Sequence, residues 1–180
     1  MTAQSDGNEP GDDGAAKTVS ARAAALRRQL VRNVDAVPLG HDLRPPLYDT
    51  RCGSVSDGTV AKKLGAGFDV LAPGMRSCPY HFHHAQEEMF VILKGRGALR
   101  VAGEMLPVSA GDVVFIPAGP DYPHQFINTS DAPMNYLSIS TQERPEICEY
   151  PDSGKYAASM RPFRAIQRVE SNLDYWDGEP

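Results

Sequence analysis

The sequence predicts an all-β domain, and two features of its central part carry that expectation. Short runs of β-branched, aromatic and aliphatic residues recur from residue 59 to residue 140, each ended by glycine or proline. Repeated short strands with Gly/Pro turns are the pattern of a barrel or sandwich. The second feature is Met89-Phe90-Val91-Ile92-Leu93, an apolar run long enough for a strand and short for a helix.

In order, strands are expected over 66–71, 77–83, 88–93, 97–101, 104–108, 113–116, 124–128 and 134–140. Ala72-Pro73-Gly74, Ala102-Gly103 and Gly111-Asp112 mark turns between them, and residues 117–123 mark a loop.

Three of the five histidines fall within four positions, His81, His83 and His84. On a strand, residues two apart share a face, so His81 and His83 project side by side. Glu88 heads the apolar run that follows. If that run pairs antiparallel with the histidine strand, its carboxylate reaches the same place. His124 opens a later strand, with Phe126 and Asn128 on its face. Neutral imidazoles plus a hard carboxylate suit a divalent transition metal such as Mn, Fe, Ni or Zn.

These two stretches resemble the two motifs of the cupin superfamily. The first is Gly74, His81, His83, Glu88 and Gly95; the second is Gly111, Pro117, Gly119, His124 and Asn128. Gly74 lies one residue further from its histidine than in the commonest pattern, and four residues rather than two separate Gly119 from His124. Both departures fall in loops. The resemblance implies a double-stranded β-helix, or jelly-roll barrel, with one metal held by His81, His83, Glu88 and His124. The six-residue gap to Gly95 favours Glu88 over Glu87 as the carboxylate ligand. Four protein ligands leave about two positions open on a six-coordinate ion, where substrate or water can bind.

Around the ligands, Tyr122 is the candidate hydroxyl donor at the pocket mouth, and Glu87 a second candidate acid/base. Gln125 and Glu87 could fix a ring tautomer. Phe90, Ile92, Phe126 and Phe115 share ligand-facing parity, as pocket wall or as core. Cys78 and Tyr80 alternate away from His81, so Cys78 is not cast as a nucleophile. Phosphate specificity would need an Arg/Lys cluster at the mouth. Arg76, Lys94, Arg96 and Lys155 are near in sequence, with Lys94 and Arg96 flanking a turn.

Outside the barrel, residues 1–17 are acidic and Gly-rich, with too little apolar surface to offset ordering entropy, and are expected to be disordered. Residues 18–58 are expected to form a helix capped by Ser20, with Ala23, Leu26, Leu30 and Val34 as its stripe, then a Pro-rich arm. Arms of this kind in cupins lie across a partner's sheet, which implies a homodimer by resemblance. Residues 59–145 are the barrel. Residues 146–180 pack on it as an extension of the kind seen in a bacterial cupin subgroup. There, residues 149–156 are expected to be a surface turn packing Tyr150 and Tyr156 on the barrel, in preference to a lid presenting Asp152, Ser153 or Lys155 to substrate. Trp176 is expected to anchor the tail.

Composition bounds the function. The net charge of −5 gives no general nucleic-acid affinity. No apolar run approaches a membrane span and no signal peptide opens the chain, so membrane association is not expected and a cytoplasmic location is. The three cysteines are far apart and fit reduced thiols. The expected partner is a small molecule. Three classes of function follow: a metal-dependent enzyme of isomerase or oxygenase/decarboxylase type, a non-catalytic small-molecule-binding or sensor module, or an interaction protein whose basic N-terminal helix carries the function.

Overall fold

The computed structural model describes residues 19–160 and 162–180; the expected disorder of residues 1–17 lies outside them. One α-helix, three single-turn 3-10 helices and thirteen strands are assigned among these residues. Helix α1 (Ala21–Leu30) is followed by β1 (Gly40–Arg44), β2 (Tyr48–Ser54), β3 (Leu64–Leu71), β4 (Phe82–His83), β5 (Glu88–Lys94), β6 (Arg96–Val101) and β7 (Glu104–Ser109). Then come β8 (Val113–Ile116), β9 (His124–Ile127), β10 (Met134–Thr141), β11 (Glu146–Tyr150), β12 (Lys155–Met160) and β13 (Phe163–Arg168).

The strands form three antiparallel sheets, in the orders β1-β2-β3-β10-β5-β8, β13-β12-β11-β4 and β7-β6-β9. The core lies between the first and the third. Leu71, Phe90, Ile92, Ile116, Met134 and Tyr136 come from the six-stranded sheet, and Leu99, Val101, Val108 and Phe126 from the three-stranded one. Inward-pointing residues alternate along each strand, as packing of two sheets across one apolar layer requires. Burying these side chains supplies the main driving force for folding, at about 25 cal/mol per Å² of apolar surface.

Gly95 shows why the turn between β5 and β6 needs glycine. Its φ is +82°, and a Cβ there would sit 2.6 Å from the Pro133 carbonyl oxygen. Asn128 closes the end of β9. It is fully buried, donates to the Leu71 and Ala132 carbonyls and accepts from the Ser130 amide and hydroxyl.

Several expectations are corrected. The stretch 77–83 is not one strand. Only Phe82–His83 is regular, with isolated bridges at Arg76 and His81. Pro79 interrupts it because it has no amide to donate. The segment read as an extended arm folds back as β1 and β2, a hairpin on the edge of the six-stranded sheet. The C-terminal segment is more than a surface turn: β11, β12 and β13 form a sheet that receives β4. Tyr156 donates to Gln167 on β13 rather than to the barrel. Trp176 is exposed and packs edge-on to the exposed Tyr175, so it anchors nothing.

Ser20 caps α1 as expected, accepting from the Ala23 amide at 3.1 Å. The helix ends at Leu30, short of Val34, and buries no residue. No described helix is long and apolar enough to cross a membrane.

Candidate metal centre

The three sheets meet at one end of the core, and each supplies a side chain to that junction. Glu88 comes from the six-stranded sheet, His124 from the three-stranded one and His83 from the four-stranded one. His81, just before β4, forms an isolated bridge with His124. The four residues picked out from the sequence are therefore brought together, but by a different route. The strand bearing Glu88 pairs with β10 and β8, not with the histidine strand.

The donor atoms of His81, Glu88 and His124 lie within 4.8 Å of one another, and His83 approaches from outside that group, on the Glu88 side. Glu88 Oε2 lies 2.9 Å from His124 Nε2, 3.6 Å from His83 Nε2 and 4.0 Å from His81 Nε2. Neighbouring ligands each about 2.1 Å from one ion would be separated by about 3 Å, so the spacing suits a common centre. The other nitrogen of each ring is already occupied. His81 Nδ1 donates to the Pro79 carbonyl at 2.9 Å, His124 Nδ1 to the Tyr122 carbonyl at 3.3 Å and His83 Nδ1 to Glu146 Oε1 at 3.1 Å. A carbonyl can only accept, so each proton stays on Nδ1 and each Nε2 offers a lone pair to the junction.

Glu88 Oε2 and His124 Nε2 are buried without a hydrogen-bond partner, despite their short separation, because their geometry is not that of a hydrogen bond. Two buried lone pairs aimed at one point are costly unless something cationic lies between them. The donor set thus fits a divalent metal. Burial pushes the Glu88 carboxyl up, but the positive charge around it that His124 first, then His83 and His81, carry when protonated outweighs this and holds it below its ordinary value. Burial lowers His83, with Glu88 and Glu146 opposing, and keeps the ring in its neutral, ligating form.

Cys148 offers a second grouping, with His81 and His83. Its thiol is pushed up to about 11, first by burial, so binding through sulfur would first require loss of a firmly held proton. The Cys78 Sγ lies 3.7 Å from His81 Nδ1, against the expected parity, because the chain there is not a regular strand. Burial raises that thiol to about 12, which leaves the conclusion that it is no nucleophile intact.

Three cavities touch the ligands: one of about 580 Å³ reaches Glu88, with Asp69 and Ser138, along the six-stranded sheet, and two others border the histidines. The smaller of these two, about 190 Å³, lies on the barrel side and is lined by His81, Glu88, His124, Asp69, Tyr136 and Ser138, among others. Asp69 is the group that sequence reading missed. Its carboxylate accepts from the Ser138 hydroxyl at 2.7 Å, and burial pushes it up to about 6. A lone aspartate within a strand gives no signal of this; only the pairing of β3 with β10 sets it opposite Tyr136 and beside Ser138. The larger of the two, about 440 Å³, lies between His81 and His83 and the four-stranded sheet.

Glu146 was also missed. It is 4% exposed and accepts from His83 Nδ1 and from the amides of His84, Ala85 and Gln86, at 3.0–3.1 Å. It both orients His83 and ties down the loop leading to Glu88. Gln125 was expected to fix a ring; instead its amide donates to the Cys78 carbonyl and its Oε1 has no partner. Glu87 is exposed, with its amide bonded to the Thr141 hydroxyl, and lines none of these cavities. Tyr122 is exposed, lines none of them, and contributes its backbone carbonyl to His124. Phe90, Ile92 and Phe126 are core, whereas Phe115 is 71% exposed. His84 points outward to Glu149 at 2.7 Å, and Asp152 pairs with Arg100 rather than facing the ligands.

A family model described as the cupin domain matches residues 67–140. Over 111 residues the chain is 36% identical to an uncharacterized protein of Methanocaldococcus jannaschii, covering 57% of this chain and 87% of that one. The chain belongs to the cupin superfamily. This cupin is also 32% identical to auxin-binding protein 1 of Arabidopsis thaliana over 133 residues, covering 68% of this chain and 64% of that one. Among solved structures it is similar to a sugar phosphate isomerase of the cupin superfamily from Silicibacter pomeroyi, with a TM-score of 0.69. That likeness, at 23% identity, covers 81% of this chain and 96% of the other, and shows the shared fold.

Proposed function

We propose that this cupin is a metal-dependent enzyme acting on a small molecule, with His81, His83, Glu88 and His124 as the ligands of one divalent transition metal. The observation that carries this reading is the convergence of three Nε2 lone pairs and an unpartnered Glu88 oxygen at one junction, each ring locked from behind. A metal there would act as a Lewis acid on a substrate oxygen.

The chain's own residues then favour proton transfer, as in isomerase chemistry. Asp69 shares the smaller cavity with the ligands, and its position near neutrality lets it accept a proton and return it. The Ser138 hydroxyl holds the carboxylate in place. Phe90 and Phe126 keep that side of the junction dry. The named isomerase of similar fold is in keeping with this class of reaction.

The test begins with metal. Protein purified without chelators is expected to hold about one divalent transition metal per chain by elemental analysis. His124→Ala should reduce that content at least tenfold with the β-sheet circular dichroism retained. Wild-type protein that takes up no Mn, Fe, Ni or Zn under any loading condition would overturn the reading. A fully loaded protein that turns over no sugar or hydroxy-acid, yet binds one of them tightly, would make it a sensor instead.

A further inference from the structure

The larger of the two cavities at the histidines has a chemical polarity that the metal ligands do not explain. One side is formed by His81 and His83. The Tyr150 ring stacks on His81 at 6.1 Å, 29° between planes. The opposite side is basic. Ser159 on β12 is the register partner of Glu146 on one side and of Arg164 on the other. In an antiparallel pair such residues are neighbours on one face, with Cβ atoms about 5 Å apart. Arg144 reaches the same spot from the chain before β11, donating to the Ser159 hydroxyl at 2.8 Å. Two guanidinium side chains thus gather about one serine, and both line the cavity.

Among the described ion pairs, neither arginine is matched with a carboxylate. The acid in the same row, Glu146, faces His83 and three amides instead, and all four bonds occupy it. Both guanidiniums line one cavity with no carboxylate among them but the fully engaged Glu146, so an anion entering it meets two positive charges. The planar guanidinium fork suits the paired oxygens of a carboxylate or phosphate.

Resting on the metal-centre reading above, we infer that the larger cavity holds the anionic end of the substrate, with Arg144 and Arg164 on its carboxylate or phosphate, while the reacting end lies at His81, which this cavity shares with the smaller one that holds Asp69. The cavity's volume of about 440 Å³ suits a small metabolite rather than a polymer. The basic residues considered from the sequence do not do this. Lys155 sits over the Tyr150 ring at 5.0 Å, and Lys94, Arg96 and Arg76 do not line the cavity.

The experiment is calorimetric titration of the Mn-loaded full chain with inorganic phosphate and, separately, malonate at constant ionic strength. The double variant Arg144→Gln/Arg164→Gln is titrated in parallel, and metal content is measured on every sample. Saturable binding of at least one anion is expected, weakened at least tenfold in the double variant with metal content unchanged. The double lysine variant, which keeps charge but not the fork, should fall between. Phosphate favoured over malonate would point to a phosphorylated substrate, and the reverse to a carboxylic acid. Absence of anion binding, or equal affinity in wild type and the glutamine variant, would overturn the inference. The same titration of metal-free protein separates the two readings, because an arginine-dependent affinity there survives failure of the metal proposal.

Discussion

His124 and His83 present the same atom to Glu88 but are held by different means. His124 is 1% exposed, lies within the barrel core with the Phe90 ring centroid 5.7 Å away, and has its Nδ1 fixed by a carbonyl two residues earlier. His83 is part-exposed, stands on a two-residue strand, and takes its orientation from Glu146, a carboxylate 63 residues further along the chain. The barrel wall of the site is therefore built from local sequence and core packing. The wall from the C-terminal sheet depends on a long-range polar contact. The difference teaches that a ligand set can be visible in a motif while the geometry of one of its members is set elsewhere.

The largest effect expected from probing this contrast is that of Glu146→Ala. It would strip His83 Nδ1 and three amides of their acceptor in a buried place, at a cost of about 3–5 kcal/mol in a denaturant titration. Metal affinity should fall roughly 10–100-fold as His83 loses its fixed tautomer. Retained affinity would mean that the two walls are equally self-supporting.

Asp69 probes the barrel wall with the opposite sign. Burial raises its carboxyl from the ordinary 3.8 to about 6, so between those values the folded state binds the extra proton and stability falls as pH rises. Above pH 6 the penalty is complete, at about 3 kcal/mol. In metal-free protein, Asp69→Asn should therefore raise the melting temperature at pH 7, with the gain vanishing below about pH 4. A variant less stable than wild type at pH 7 would place the value of Asp69 in its Ser138 bond rather than in its charge.

The smallest effect is expected at the seam between the walls. Arg100 on β6 holds Asp152, in the turn between β11 and β12, through a bidentate pair at 2.6 and 2.9 Å. The pair is partly exposed, so Asp152→Ala should cost less than about 1 kcal/mol, and less still at high salt. A larger loss would show that this pair, rather than the pairing of β4 with β11, docks the C-terminal sheet.

Much of the fold was legible in the chain. Apart from 77–83, the central strands fall where alternation and Gly/Pro turns put them, and the four candidate ligand side chains gather at one junction. What escaped notice has one character. The hairpin of β1 and β2 lies in a Pro-rich stretch, and β11 to β13 in a polar one, and neither shows the apolar run that marks a buried strand. Glu146, Arg144 and Arg164 are single polar residues in such surroundings, and Asp69 is a single one inside an expected apolar strand, all without a spacing that would distinguish them from solvated side chains.

By itself, then, the sequence determined that residues 66–140 form short antiparallel strands and which imidazoles and carboxylate could share a metal, because strand periodicity and ligand chemistry are properties of neighbours along the chain. Only the tertiary structure decided what stands behind and around those ligands. Sheet register is fixed by which faces can be buried together, and that sets Ser159 beside Arg164, Asp69 beside Ser138 and Glu146 behind His83 across gaps of up to 69 residues.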